Sequence, residues 1–164
     1  MENLTIRDVR PEDAKTILAL ITELAIYEKA EHEVHATEET IRQSLFAKDS
    51  AAKALIAENE TGDVVAYVIY FFSYSTWLAK NGLFLEDLYV KESERGKGIG
   101  KTLLAYLAKV ALEKGCGRFE WNVLDWNQPA IDVYESIGAK PQSEWTTYRL
   151  TGPALDALAK QSRF

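Results

Sequence analysis

Apolar residues recur along this chain with two periods, about two residues in some stretches and about 3.6 in others, and the changes between them mark the elements. Leu4 to Val9 reads as a short strand. Pro11 then stands where the first turn of a helix tolerates it, with Glu12 and Asp13 near the positive end. Ile17, Leu20, Ile21, Leu24 and Ala25 keep the helical period. After a polar stretch at 28–36, Thr37 reads as the N-cap of a helix carrying Glu38, Glu39, Ile41 and Leu45. Residues 52–58 and 64–74 predict a hairpin turning at Glu60-Thr61-Gly62-Asp63. A strand over 83–90, a helix from Ile99 to Lys114 and a strand over 119–124 follow; in that succession the two strands are expected to be parallel neighbours. Asn127 caps a shorter helix closed by Gly138, residues 145–150 predict a last strand, and 153–161 predict a terminal helical turn or two. With no repeats or linkers, this describes one α/β domain over residues 1–164 with a mixed sheet.

The joint between the strand at 83–90 and the helix at 99 carries chemistry. Gly96, Gly98 and Gly100 alternate there, removing Cβ atoms that would hold a ligand off the backbone, and the helix directs unpaired N–H groups and its positive dipole end at the turn. A phosphate is the ligand expected. The Walker spacing fails, because Arg95 stands where glycine must precede Gly100-Lys101-Thr102. The dinucleotide fingerprint fails at Lys101 and Leu103, where its third glycine would fall.

What remains, Arg95-x-x-Gly98-x-Gly100, resembles the pyrophosphate loop of the GNAT N-acetyltransferases. Asn127-x-x-Ala130-x-x-x-Tyr134-x-x-x-Gly138-Ala139 is similar to a second signature of that superfamily. Leu85-Glu86-Asp87, together with Glu23-Leu24-Ala25-x-Tyr27-Glu28, resembles the spermidine/spermine (diamine) branch and its thialysine-acetylating relatives. The resemblance implies a mostly antiparallel sheet flanked by helices, with a central parallel pair splayed around an acyl-CoA. It also implies acetyl-CoA as co-substrate, held by Leu88, Tyr89, Val90, Arg95, Gly96, Lys97, Gly98, Ile99, Gly100, Lys101, Asn127, Ala130 and Tyr134, and a homodimer.

Composition narrows the setting. A chain of 164 residues, 47% hydrophobic and 27% charged, is long enough for one domain with a core and too short for two ordinary ones. Arg7 and Asp8 interrupt any signal-like segment, and the apolar run at 64–72 falls far short of a membrane span, so a soluble, cytoplasmic protein is expected. Cys116 is the sole cysteine, which excludes an internal disulfide and a paired-thiol metal site. A net charge of -6 without a basic cluster argues against nucleic acid or anionic membrane as partner and suits a small cation. His32 and His35 lie in a polar loop without a clear third ligand, so no metal is expected.

Strict alternation places Phe84, Glu86, Leu88 and Val90 on one strand face and Leu85, Asp87 and Tyr89 on the other. Among apolar neighbours Glu86 would be partly desolvated and a better base near neutral pH; the bland alternative is an acid at the sheet edge or paired with an arginine. Under the resemblance Glu86 is the acid that deprotonates the amine through water, an N–H near Leu88 meets the oxyanion, and Tyr134 protonates the departing thiolate. Tyr134 also belongs to an inward stripe with Ala130, Val133 and Ile137, so a core tyrosine is its competing reading. Tyr27, Glu28, Trp77, Glu86 and Asp87 match substrate-binding positions of the branch. Ser75 and Thr146 depart from acidic residues of the polyamine enzymes, and an extra residue lies between Trp77 and Leu83, which favours a shorter diamine or a lysine-like amino acid. The aromatic run Tyr67, Tyr70, Phe71, Phe72, Tyr74 reads as sheet core. No nucleophile elbow or Cys/His pair is present, so transfer to a primary amine of a small molecule is expected to be direct. A non-catalytic acyl-CoA sensor, or an acetyltransferase acting on a protein amine, are the alternatives.

Overall fold

The computed structural model describes residues 4–164. They divide into two compact units, one ending at Leu124 and one running from Asp125 to Phe164.

The first unit is built on a five-stranded sheet in sequential order: β1 (Thr5–Asp8), β2 (Lys53–Glu58), β3 (Val64–Ser75), β4 (Lys80–Val90) and β5 (Arg118–Trp121). The first three pairings are antiparallel, and β4 with β5 is parallel, as the strand–helix–strand succession predicts. Helices α1 (Ala14–Tyr27) and α2 (Glu38–Leu45) precede β2, and α3 (Ile99–Glu113) makes the crossover between β4 and β5. Thr37 caps α2, its Oγ1 accepting from the Thr40 N–H at 3.1 Å.

Register sorts the core into two layers. Ile56 opposes Tyr67, and Tyr67 opposes Tyr89; these three pack with Ala14, Ile17 and Leu20 of α1 and Ile41 of α2. Val68 opposes Leu88 on the other face, where α3 lies against β3, β4 and β5 with Leu103 and Leu107 fully buried. At the start of α3, a Cβ added at Gly100 would stand 3.8 Å from both Leu88 and Val90.

One register irregularity overturns the alternation expected for β4. Ile69 pairs with Asp87 and Tyr70 with Leu85, leaving Glu86 with no residue opposite it. This is a β-bulge, and the extra residue moves Leu85 to the face opposite Asp87. Phe84 therefore joins the Asp87 face and stacks on Phe71 at 5.1 Å between ring centroids. Glu86 is exposed, contrary to the partly buried position that alternation predicted.

Arg7 fastens the edge of this sheet. Its Nη1 and Nη2 donate to Asp13 at 2.8 and 3.1 Å, and its Nε donates to Glu58 at 2.9 Å. The Arg7 hydrogen bond holds the Asp13 carboxyl below its ordinary value, more than offsetting the upward push of burial. Such depression stabilises the fold above the unfolded Asp pKa, and the contribution disappears as pH falls through the depressed folded value. Arg7→Met is expected to lower unfolding free energy by about 1–3 kcal/mol near neutral pH, and by less in acid, as read from urea midpoints at the two pH values.

The second unit contains α4 (Gln128–Ser136) and α5 (Gly152–Ala159). Residues 145–150 form no strand, contrary to the pattern; Trp145 and Tyr148 are 68% and 93% exposed. Strand-forming residues alone do not make a strand, which also needs a ladder to take its backbone bonds. Among the described residues no helix is long and apolar enough to cross a membrane, and no group of three or more His, Cys, Asp or Glu is placed to hold a metal ion.

Candidate active site

The turn between β4 and α3 takes a conformation that needs its glycines. Gly96 and Gly98 have φ of +77° and +80°, the left-handed region that disfavours other residues. A Cβ built at Gly96 meets nothing within 4 Å, so glycine is needed there for conformation while the space above it is open. Gly98 begins α3 without a side-chain cap, and Thr102 N–H makes the bond to Gly98 O at 3.0 Å. The amides of Ile99, Gly100 and Lys101 precede that bond at the positive end of a 15-residue helix. This fits an anion held by backbone N–H groups. Lys97 Nζ pairs with Glu94 at 2.8 Å, within the same loop.

The Arg95 side chain packs on two aromatic rings. Its guanidinium carbon stands 4.7 Å from the Tyr27 ring centroid and 5.4 Å from that of Tyr89, and Nε donates to the Val90 carbonyl at 3.2 Å. Two electron-rich ring faces attract the cation more specifically than open solvent does. The structure thus groups Arg95 with Tyr27, at the end of α1.

The ladder between β4 and β5 runs from Gly82–Arg118 to Leu85–Trp121 and stops at the bulge. Beyond it, residues 87–90 remain paired to β3 on one side, and among the described residues no strand pairs with their other edge. The parallel pair is therefore open where Leu88, Tyr89 and Val90 were expected to meet an acyl carrier, and an extended ligand can add there as a strand would.

The same segment presents acids toward α1. Tyr67 donates its hydroxyl to Asp87 Oδ2 at 2.9 Å, and Tyr89 donates to Glu23 at 3.0 Å. Burial pushes the Asp87 carboxyl above its ordinary value, and the Tyr67 hydrogen bond opposes that shift. Glu28 is raised as well, first by burial and then by the charge of Asp87. Two mutually repelling, partly desolvated carboxylates favour a cation between them. Glu23 stands in the motif at 23–28 but without a role assigned to it, and Tyr67 has no signal in the sequence as a member of this group; their contacts join residues 66 and 20 positions apart.

Trp77 is 82% exposed in the turn between β3 and β4. Ser75 is buried, and its Oγ accepts from Arg118 Nη2 at 2.8 Å and from the Leu78 N–H at 3.2 Å, so it secures that turn. Of the aromatic run, Tyr67 and Tyr70 are core, whereas Tyr74 is 64% exposed.

In the second unit, Asn127 caps α4 as expected, its Oδ1 accepting from the Ala130 N–H at 3.4 Å. Gly138 has φ of +88° and closes the helix, with the Ala139 N–H bonded to Tyr134 O at 3.1 Å. Ala130 and Tyr134 are half-buried. The inward stripe is incomplete, since Val133 and Ile137 are exposed; two short helices bury too little surface to cover it.

The sequence profile of the Acetyltransferase (GNAT) family matches residues 18–139. The chain belongs to this family and is an N-acetyltransferase. It is 41% identical to the thialysine N-epsilon-acetyltransferase of Bos taurus, over 97% of this chain and 99% of that protein. It is 42% identical to the L-ornithine N5-acetyltransferase of Arabidopsis thaliana, over 74% of this chain and 54% of that one. Among solved structures, an integron cassette protein from the mobile metagenome of V. cholerae is similar with a TM-score of 0.82 and 27% identity, covering 98% of this chain and 100% of that chain.

Proposed function

We propose that this enzyme transfers the acetyl group of acetyl-CoA directly to the terminal primary amine of a small lysine- or diamine-like molecule, and that residues 1–164 act as one acetyltransferase domain. The observation that carries the reading is the segment Glu86–Val90: one edge is open for an acyl carrier beside the α3 turn, and one face presents Asp87 with Glu28 to a cation. The amide-lined turn at Gly96–Lys101 fits a pyrophosphate without a metal. A homodimer, a cytoplasmic setting and the absence of nucleic acid or membrane partners belong to the same proposal. So does a lysine-like amino acid as acceptor, which the thialysine and ornithine relatives support.

An alkylammonium with a pKa of about 10.4 is less than roughly 0.1% neutral at pH 7, and only the neutral amine attacks a thioester. Glu86, exposed at the bulge, takes the ammonium proton through water. The amine nitrogen then bonds to the acetyl carbon, an N–H near Leu88 stabilises the oxyanion, the carbon–sulfur bond breaks, Tyr134 gives its proton to the thiolate, and the second proton of the attacking nitrogen restores the Tyr134 hydroxyl through solvent, leaving a neutral amide. Tyr27, Glu28, Asp87 and Trp77 bind the acceptor in this scheme.

Acceptor choice is tested by a panel of thialysine, lysine, ornithine, putrescine and spermidine, followed by thiol release from acetyl-CoA. The proposal expects the amino acids and the short diamine to exceed spermidine in kcat/KM; activity confined to spermidine would refute it. Glu86→Gln should lower the rate most at neutral pH and less at alkaline pH, where more amine is already neutral. An equal loss across a pH-rate profile would assign Glu86 to orientation instead.

A further inference from the structure

We infer that Tyr67 is a positioning residue for the acceptor amine: its buried hydroxyl fixes the Asp87 carboxylate so that the ammonium meets an oriented, charged oxygen. The inference rests on the amine-site reading above. Tyr67 is fully buried in the layer between the sheet and α1, where it opposes Tyr89 across β3 and β4. A phenol in that position needs a partner, and the one it has is Asp87 Oδ2 at 2.9 Å. Among the described residues Asp87 makes no other side-chain hydrogen bond, which leaves Oδ1 for the acceptor.

The direction of the bond matters. Burial, followed by the charge of Asp87, raises the Tyr67 hydroxyl well above the ordinary phenol range, so it keeps its proton and serves only as a donor. It therefore cannot be the base for the amine. What it can do is oppose the desolvation of Asp87, because a hydrogen bond to the charged form favours that form. A carboxyl that lost this donor would gain a proton more easily and would turn freely about its side-chain bonds. In either state it would attract an ammonium less. The register supports the same geometry: Tyr67 opposes Tyr89 and Ile69 opposes Asp87 without a break, so Asp87 shares the face of Tyr67, while the bulge at Glu86 turns Leu85 away.

Steady-state kinetics with thialysine at saturating acetyl-CoA test this on four enzymes: wild type, Tyr67→Phe, Asp87→Asn and the double variant. Tyr67→Phe keeps the packed ring. It should raise the amine KM about 10-fold, the magnitude of one hydrogen bond to a charged group, with the KM for acetyl-CoA unchanged. In the Asp87→Asn background the same substitution should add less than about two-fold, because its effect passes through the carboxylate. An unchanged amine KM in Tyr67→Phe, or a full additional loss in the Asp87→Asn background, overturns the inference while the amine site stands. A parallel rise in the acetyl-CoA KM also overturns it, by showing a general structural role. If Asp87→Asn itself leaves the amine KM unchanged, the amine-site reading falls and the inference with it.

Discussion

Tyr134→Phe is expected to lower turnover by roughly 10²-fold or more while leaving coenzyme A affinity nearly unchanged. The substitution removes one hydroxyl from α4 and keeps the ring, so the half-buried packing of residue 134 is preserved. The α4 cap at Asn127 and the closing turn at Gly138 use the Asn127 side chain and backbone carbonyls, neither of which the substitution touches. A thiolate must acquire a proton after the carbon–sulfur bond breaks; if Tyr134 supplies it, the loss falls on kcat, and coenzyme affinity and melting temperature stay close to wild type. Measuring all three on one preparation separates the roles. Wild-type turnover would make Tyr134 a packing residue and leave sulfur to be protonated by solvent or another group.

Gly98→Val should weaken coenzyme A binding by roughly 10- to 100-fold. Gly98 sits at φ +80° as the first residue of the α3 turn, a conformation that a β-branched side chain strongly resists. The variant either retains that backbone at a cost of about 1–3 kcal/mol or relaxes and turns the amides of Ile99, Gly100 and Lys101 away from the anion. Gly98→Ala should lose less. Calorimetric titration with coenzyme A in the absence of magnesium reads the effect; undiminished affinity in Gly98→Val would mean that the turn does not hold the pyrophosphate.

The parts of the fold written in local pattern were legible from sequence. Glycines at 96 and 98 specify the turn because only they accept its dihedral angles, Thr37 and Asn127 cap their helices through short-range bonds, and β4–α3–β5 follows from the order of the elements. The bulge at Glu86 was not legible, because an inserted residue inside a continuous strand shows only in the pairing with β3, which the sequence of β4 alone does not give. It reversed which side chains accompany Asp87. Contacts between distant segments escaped for a related reason: Tyr67 with Asp87 and Tyr89 with Glu23 depend on register and helix placement, which only the assembled sheet provides. The contact of Arg95 with the rings of Tyr27 and Tyr89 escaped as well, since those rings come from two other segments. Residues 145–150 read as a strand, but a ladder needs a partner as well as strand-forming residues.

The most direct test of acetyl transfer to a small amine is stoichiometry: purified enzyme, acetyl-CoA and thialysine, with free thiol and N-acetylated product counted in the same reaction. The expected result is one thiol released for each N-acetyl product, with neither formed in the absence of the amine and no magnesium required. Tight magnesium-dependent ATP binding without coenzyme A binding, or thiol release that proceeds with no acetylated amine, would contradict it.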